Sequence, residues 1–171
     1  MVIQNWCECI RGEFLLIYDA YSTSLTNKAR VARLATVDSE NKPHLVPVVF
    51  VFDGKYYYIP LDEKIKKDKP ERLKRVKNIQ RNPNVVLLID EYNEDWSKLR
   101  FIMIQGRASL IGKKVQHNEL VLEKAHKLLY RKYHQYKKIG IGELCIKIDP
   151  EKVISWKNHW LIFIYYTSSF P

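Results

Sequence analysis

Two strand-like runs on either side of a tight-turn dipeptide constrain the fold of this chain more than any other feature. Residues 44–52 are almost continuously apolar and rich in β-branched side chains, and residues 55–61 carry three consecutive tyrosines followed by an isoleucine. Between them stands Asp53-Gly54, a dipeptide preferred at the centre of a two-residue hairpin turn. A further apolar run, residues 31–37, leads into a polar turn cluster at residues 38–43. These runs predict three antiparallel strands in a meander.

Helices are predicted where apolar residues recur every three or four positions. Such spacing predicts an amphipathic N-terminal helix over residues 3–21 and a longer helix over roughly residues 114–136. A basic helix between them is predicted to end at Asn82-Pro83. Its buried stripe is predicted to consist of Leu73, Val76 and Ile79.

The remaining strand-like runs are residues 85–89, 101–111, 143–148 and 153–156. Gly106 interrupts one of them, and a glycine at such a place often marks a bulge or a close backbone approach. A sheet of this length either closes on itself or leaves edges that need protection. We therefore predict an α+β fold that is mainly β: a six- or seven-stranded antiparallel barrel with flanking helices, including the N-terminal helix.

Length and composition narrow the class of protein. A chain of 171 residues is the size of one domain. Its apolar run at residues 161–166 is far shorter than the ~20 residues of a membrane-spanning helix. The N-terminus lacks the pattern of a signal peptide, and three cysteines form neither an even disulfide set nor paired zinc ligands. We expect a cytoplasmic protein without a metal site or a membrane partner.

Positive charge is concentrated in two segments of a chain whose formal net charge is +10. Residues 64–81 contain nine Lys and Arg against two acidic residues, and residues 113–138 contain eight against two. Such segments attract nucleic acid, anionic surfaces or phosphorylated cofactors, although they also occur as ordinary solvated helix faces. A basic nucleic-acid-binding β-barrel, with residues 56–58 as a stacking platform, is therefore one hypothesis.

Known catalytic and phosphate-binding loop motifs are absent. The chain has no GxSxG, HExxH, GxGxxG or GxxxxGK[ST] pattern. Any phosphate must then be bound by side-chain cations, and Lys64, Lys66 and Lys67 stand where a predicted strand gives way to a helix. Lysines there could form charge-assisted hydrogen bonds with a phosphate or could simply be a charged helix entry.

The order of several motifs gives the chain a family resemblance. The stretch ARLATVD at residues 32–38, followed by PHLVPV at residues 43–48, is similar to the opening of the flavin-binding split barrels related to pyridoxamine 5'-phosphate oxidase. Three further motifs resemble the coenzyme F420-dependent branch of that superfamily: DxKxKK at 62–67, NIxxNP at 78–83 and DxYxEDW at 90–96. The resemblance extends from about residue 30 to residue 157.

The resemblance implies a split barrel with a flavin or deazaflavin bound at the interface of a homodimer. It places the second strand of the barrel beside the pyrimidine edge of the ring and a phosphate-binding segment after the third strand. The residues beside the ring would be Val46, Pro47, Val48 and Val49, and those at the phosphate Lys64, Lys66 and Lys67. The residues matching the region that reaches the cofactor of the other subunit are Trp96 and Arg100. Gln105 would face either the site or the barrel core.

By the same resemblance, the function is hydride transfer between bound coenzyme F420 and a small conjugated organic substrate, with cofactor-binding residues but no identified catalytic side chain. The candidates for a proton donor are Tyr58, His44 and solvent. Pyridoxamine phosphate oxidases carry cations on the second strand, whereas residues 44–52 have none, so oxidation of vitamin B6 is disfavoured. An FMN-dependent oxidoreductase and a non-catalytic FMN- or haem-binding protein stay open.

The same comparison divides the chain into three parts. Residues 1–30 are predicted to be a helical segment that packs on the barrel, and residues 31–157 the cofactor-binding split barrel. Residues 158–171 are a C-terminal extension to which the sequence assigns no function.

Overall fold

The computed structural model describes residues 7–10, 20–61, 70–112 and 118–158, which contain eight strands and four α-helices. The strands are β1 (Cys7–Ile10), β2 (Ala32–Val37), β3 (Pro43–Val48), β4 (Val51–Phe52), β5 (Tyr57–Leu61), β6 (Asn84–Glu91), β7 (Arg100–Gly112) and β8 (Leu144–Lys157). The helices are α1 (Ala20–Lys28), α2 (Lys74–Arg81), α3 (Glu119–Lys132) and α4 (Tyr136–Ile139).

All strand pairs are antiparallel, and the sheet runs in the order β3-β2-β6-β7-β8-β5-β4. Its first and last members, β3 and β4, are consecutive in the chain and are separated only by Val49 and Phe50. Three Cα steps span at most about 11 Å, so the two edges of the sheet must curl round to meet at this point. The result is the predicted antiparallel split barrel. Its path contains seven strands, the upper number predicted, and β1 adds an eighth by pairing with β8.

The predicted meander is correct in its hairpins but wrong in its middle strand. A tight turn joins β4 to β5 as expected, but its central residues are Gly54 and Lys55 and not Asp53 and Gly54, because Asp53 N–H donates to the carbonyl of Tyr56 at 3.1 Å. The φ of Gly54 is +96°. The predicted strand over residues 44–52 is instead interrupted after Val48. Its first part pairs with β2 and its second part with β5, because the chain crosses from one edge of the barrel to the other there.

The N-terminal helix exists, but it is α1 and not the predicted span of residues 3–21. Cys7–Ile10 is a strand that pairs with residues 152–155 of β8. On that side of β8, β5 pairs only with residues 144–148, which leaves the rest of the edge available to β1. The spacing of apolar residues in this segment is helical, but main-chain hydrogen bonding with β8 makes Cys7–Ile10 a strand.

The two strands predicted at residues 143–148 and 153–156 are one continuous strand, β8. Asp149-Pro150 is not a turn but lies opposite a register shift at Gln105/Gly106 of β7. A Cβ on Gly106 would collide with the backbone carbonyl of Asp149, so the predicted close backbone approach at this glycine is confirmed.

Two apolar clusters hold the barrel together. The first fills its interior and includes Leu34, Leu87 and Ile104, with Val76 and Ile79 of α2 closing one end. The stripe and the end of α2 are thus as predicted. The second cluster lies where α3 packs on the outside of β4, β5 and the C-terminal half of β7 through Leu122, Ala125 and Leu129.

Candidate functional site

The strand β3 forms an edge of the sheet. Among the described strands it pairs only with β2, so its other edge presents main-chain hydrogen-bonding groups. Its side chains alternate: Leu45 (62% exposed) and Pro47 point outwards, whereas Val46 and Val48 pack towards the core. Val49 follows the strand and packs against the second apolar cluster. The four residues predicted beside a ring therefore share one strand edge but not one side-chain face.

A cation lies on the neighbouring strand β2, one strand in from this edge. Arg33 of β2 is the register partner of Pro47, and the two side chains share the outer face. The Arg33 guanidinium forms an ion pair with the carboxylate of Asp90 on β6. The sequence prediction missed this residue. The alternation of apolar Ala32, charged Arg33 and apolar Leu34 in the sequence was the signal that could have found it.

Gln105 lies on the same outer face, but it is not next to β3. Its neighbours in the core of β7, Ile102 and Ile104, are fully buried, so Gln105 points away from the barrel interior. One row of register partners runs across the sheet from β3 to β8: Leu45, Ala35, Val86, Gln105 and Lys152. Three strand spacings of about 4.8 Å place Gln105 roughly 14 Å from the β3 edge.

Trp96 and Arg100 both belong to the hairpin between β6 and β7. Trp96 begins a short 3-10 turn and is 64% exposed. This turn is capped by Asp95, whose carboxylate accepts from Ser97 N–H at 3.1 Å. Hydrogen bonds from Ser97, with help from Lys98, lower the pKa of Asp95. Arg100 is half-buried, and its Nε donates to Glu91 at 2.5 Å. The hairpin therefore carries one exposed aromatic ring, at Trp96, and a guanidinium already bound to a carboxylate, at Arg100.

The predicted phosphate lysines, Lys64, Lys66 and Lys67, lie outside the described residues. The last described residue before them is Leu61, which pairs with Leu144, itself opposite Gly112 at the C-terminal end of β7. Arg100 is at the other end of β7. At about 3.3 Å per residue the two ends are on the order of 40 Å apart along the strand. Within one chain, Leu61 and the Trp96–Arg100 pair therefore lie in separate places.

The structure separates the two side chains proposed as proton donors. Tyr58 is buried beneath α3, outside the barrel, and donates to Asp53 Oδ2 at 3.0 Å. Burial, reinforced by the Asp53 carboxylate, raises the pKa of Tyr58. His44 is half-buried on the barrel-facing side of β3, and its Nδ1 has no hydrogen-bond partner in the described parts of the chain. Of the two, His44 is the one on the candidate strand.

The described residues hold neither a metal-binding cluster nor a membrane-spanning helix. They contain no group of three or more His, Cys, Asp or Glu side chains placed to hold a metal ion. None of their helices has the length and apolar character needed to cross a lipid bilayer.

Comparison with known families agrees with this architecture. The sequence pattern of the pyridoxamine 5'-phosphate oxidase family matches residues 20–157, which include every described strand except β1. The chain belongs to this family. A comparison with curated proteins finds no match.

Proteins of known structure that share this fold differ in the ligands that their names give. A conserved hypothetical protein of Mycobacterium tuberculosis aligns with a TM-score of 0.65 and 17% identity, over 88% of this chain and 91% of that one. The haem storage protein HutZ of Vibrio cholerae aligns with a TM-score of 0.62 and 12% identity, over 82% of this chain and 96% of that one. An FAD-binding protein of Mesorhizobium loti aligns with a TM-score of 0.59 and 16% identity, over 89% of this chain and 97% of that one. At these identities the likeness shows the split-barrel fold of the pyridoxamine 5'-phosphate oxidase family and nothing finer.

Proposed function

We propose that this protein is an oxidoreductase that binds coenzyme F420 and serves hydride transfer between it and a small conjugated organic substrate. The observation that carries the proposal is that β3, an apolar strand, pairs only with β2 among the described strands, which leaves the main-chain groups of its other edge available there. Membership of the pyridoxamine 5'-phosphate oxidase family makes a flavin-type ring the natural ligand of such an edge.

The residues present fit a flavin or deazaflavin ring. Val46, Pro47, Val48 and Val49 supply an apolar strand, and Pro47 lacks the N–H that would otherwise need a partner. The main-chain groups of the edge can pair with the polar pyrimidine side of a ring. When bound, the cofactor supplies the carbon that gives or takes the hydride, while the protein orients it and excludes water.

The phosphate is assigned to Lys64, Lys66 and Lys67. Ammonium groups gain charge-assisted hydrogen bonds with phosphate oxygens, and no glycine-rich loop competes for that role. Residues 64–81 hold a large excess of positive charge. This excess favours a cofactor with a long acidic tail over FMN, which has only one phosphate.

We further propose a homodimer in which Trp96 and Arg100 reach the cofactor bound by the second subunit, with Gln105 facing the cofactor site. The separation of Leu61 and Arg100 along β7 supports this arrangement, because one cofactor could not easily touch both ends in a single chain. In this proposal residues 31–157 form the cofactor-binding domain, residues 1–30 flank it, and residues 158–171 extend it. The expected location is the cytoplasm.

FMN-dependent oxidation or reduction is the second candidate, favoured by the family match and by the FAD-binding protein of the same fold. A non-catalytic haem carrier is a third, since HutZ shares the fold. The nucleic-acid hypothesis is weakened because Tyr57 and Tyr58 are buried, which removes the stacking platform of residues 56–58.

The test is a titration of the full chain with coenzyme F420, FMN and haemin, each at low and high salt. We expect F420 to bind most tightly, to weaken in salt, and to weaken in the Lys64→Ala/Lys66→Ala variant. The matched control is Lys137→Ala/Lys138→Ala, which removes the same charge from exposed positions on α4. Tighter binding of FMN or haemin would replace F420 by that ligand, and binding of none would refute a cofactor role.

A further inference from the structure

The outer side of the sheet is largely apolar. Along β2, β3, β6 and β7, the side chains that alternate with the buried core residues point outwards, and most of them are apolar. We call the following exposed or half-exposed set the outer apolar face: Leu45, Ala35, Val86, Leu88, Met103 and Phe101. Leu45 is 62% exposed. Contiguous apolar patches on a protein surface mark sites where another segment or molecule packs.

The described helices pack elsewhere. Val76 and Ile79 of α2 close one end of the barrel, and Leu25 of α1 belongs to the same interior cluster. The helices α3 and α4 lie outside β4, β5 and the C-terminal half of β7. A cover for the outer apolar face therefore has to come from residues outside the described ranges or from another molecule.

The chain leaves β8 beside this face. Trp156, close to the end of β8, stacks on Phe101, with 5.8 Å between the ring centres. Asn158 is anchored by two hydrogen bonds: its N–H donates to the carbonyl of Leu99 and its Nδ2 to the carbonyl of Trp96, each at 3.0 Å. The residues that follow Asn158 therefore start at the border of the outer apolar face.

The sequence after Asn158 matches an apolar surface. Residues 160–166 read WLIFIYY, and residues 158–171 include no Lys, Arg, Asp or Glu. Uncharged runs of β-branched and aromatic residues are prone to aggregate when they stay exposed to water. Residues 11–19, which follow β1 and also lie outside the described ranges, contain Arg11, Glu13 and Asp19 and match the face less well.

The length of the run matches the width of the face. Four strand spacings of about 4.8 Å separate β8 from β3, which is roughly 19 Å. Seven extended residues span at most about 23–25 Å. Residues 160–166 can therefore cross the sheet from the border at Phe101 to Leu45 within one chain.

We propose that residues 160–166 dock across the outer apolar face of their own chain and cover Leu45, Val86 and Met103. Docking removes two apolar surfaces from water at once. Only His159 separates the run from the anchored Asn158, so bringing the two surfaces together costs little loop entropy. This inference does not depend on any cofactor. The competing occupant of the face is a second copy of the chain, and the experiment distinguishes the two.

Photo-cross-linking of the full chain identifies the surface beneath the run. The variant Phe163→p-benzoylphenylalanine carries the photoreactive group at the centre of the run, and mass spectrometry of digested protein locates the link. We expect links from residue 163 to residues 84–91 or 100–105, at the mass of one chain on a denaturing gel. The control Tyr130→p-benzoylphenylalanine, at an exposed position of α3, should give no links to these strands.

A second measurement follows the exposure of the face. In Phe163→Asp/Ile164→Asp two charges interrupt the run, which should uncover the outer apolar face and raise the fluorescence of the apolar dye ANS about threefold. Ser168→Asp/Ser169→Asp adds the same charge beyond the run and should match the wild type. Circular dichroism of both variants checks that the barrel is intact, and if it is lost the cross-linking result decides.

Links from residue 163 at the mass of two chains would assign the face to the run of a second copy and overturn docking within the chain. Links only to other parts of the chain, such as α3, or no links at all would overturn it too. So would an unchanged ANS signal in Phe163→Asp/Ile164→Asp. None of these outcomes affects the proposed function, which the cofactor titrations test separately.

Discussion

Arg30 and Lys132 cap each other's helices. The guanidinium of Arg30, just after α1, donates to the carbonyl oxygen of Lys132 at the end of α3. The ammonium of Lys132 in turn donates to the carbonyl of Thr26 in the last turn of α1, at 3.1 Å. Carbonyl groups at a helix C-terminus lack intrahelical partners and carry partial negative charge, so a cation there is stabilising. The two contacts tie α1 and α3 to the corner where β3 gives way to β4, since Lys132 Nζ also lies 4.0 Å from the centre of the Phe50 ring.

The surroundings of Lys132 predict an unusual dependence of the free energy of unfolding on pH. Burial, followed by repulsion from Arg30, lowers the pKa of Lys132 from 10.5 to about 8. Between these two values the unfolded chain binds more protons than the folded one, so the free energy of unfolding should rise with pH. In Lys132→Met, which keeps the apolar stem, this rise should be smaller by about 1 kcal/mol, allowing for solvent screening.

Urea unfolding of the wild type and of Lys132→Met at pH 7.5 and pH 9.5 measures the difference. Lys127→Met on the exposed side of α3 is the control and should follow the wild type. Parallel pH dependence in Lys132→Met and the wild type would contradict the prediction.

The hydroxyl of Tyr133 holds the corner between β3 and β4. It accepts from Phe50 N–H at 3.1 Å, and its proton is directed between the carbonyl oxygens of Phe50 and Arg30, each 2.9 Å away. Tyr133→Phe leaves these main-chain groups without that partner in a buried place. We expect a loss of about 1–3 kcal/mol in the free energy of unfolding, measured in urea. Tyr130→Phe, an exposed change in the last turn of α3, should cost far less.

Gly106 is required by the packing of two backbones. In Gly106→Ala the new Cβ would meet the Asp149 carbonyl and would lie 3.0 Å from the Cα of Pro150. Main-chain atoms of paired strands cannot give way cheaply, so we expect a loss of about 1–3 kcal/mol and a lower Tm by calorimetry. Ser109→Ala, at an exposed position of the same strand, serves as control. An unchanged Tm in Gly106→Ala would show that β8 moves aside freely at this bulge.

Asp53 links the hairpin turn to α3 and should make stability sensitive to acid. Its side chain is almost fully buried, and Oδ2 accepts from Lys124 Nζ at 2.6 Å. Burial opposes the charged form, but the hydrogen bonds from Lys124 and from the amides of Tyr56 and Lys55 prevail and lower the pKa of Asp53. This stabilisation is present above the unfolded value of 3.8 and is lost as pH falls through the lower folded value.

Asp53→Asn should therefore be less stable than the wild type at pH 7, and the difference should shrink as pH falls below about 4. Urea midpoints across this range test it, with the exposed Glu123→Gln on α3 as control. A difference that is the same at every pH would assign the effect to side-chain shape and not to charge.

Local chemistry explains which parts of the fold were predictable. The turn after Asp53 forms because Asp53 accepts from the amides of Lys55 and Tyr56, contacts within three residues in the chain. The stripe of α2 and the end of that helix at Asn82 follow equally local rules. Wrong predictions concern main-chain partners distant in sequence: Cys7–Ile10 became a strand because β8 had a free edge there. Residues 149–150 did not turn because β7 continues alongside them.

For the candidate site too, some features were predictable from local sequence and others depended on distant pairing. The sequence by itself determined the apolar, strand-like character of residues 44–52, the basic segment at residues 64–81, and the family to which the chain belongs. Only the tertiary structure decided that β3 is an edge, that Arg33 stands opposite Pro47, and that Gln105 and Arg100 lie away from Leu61. The physical reason is that periodicity reports which face of a strand is buried, whereas the neighbours of that strand are set by pairing between segments far apart in the chain.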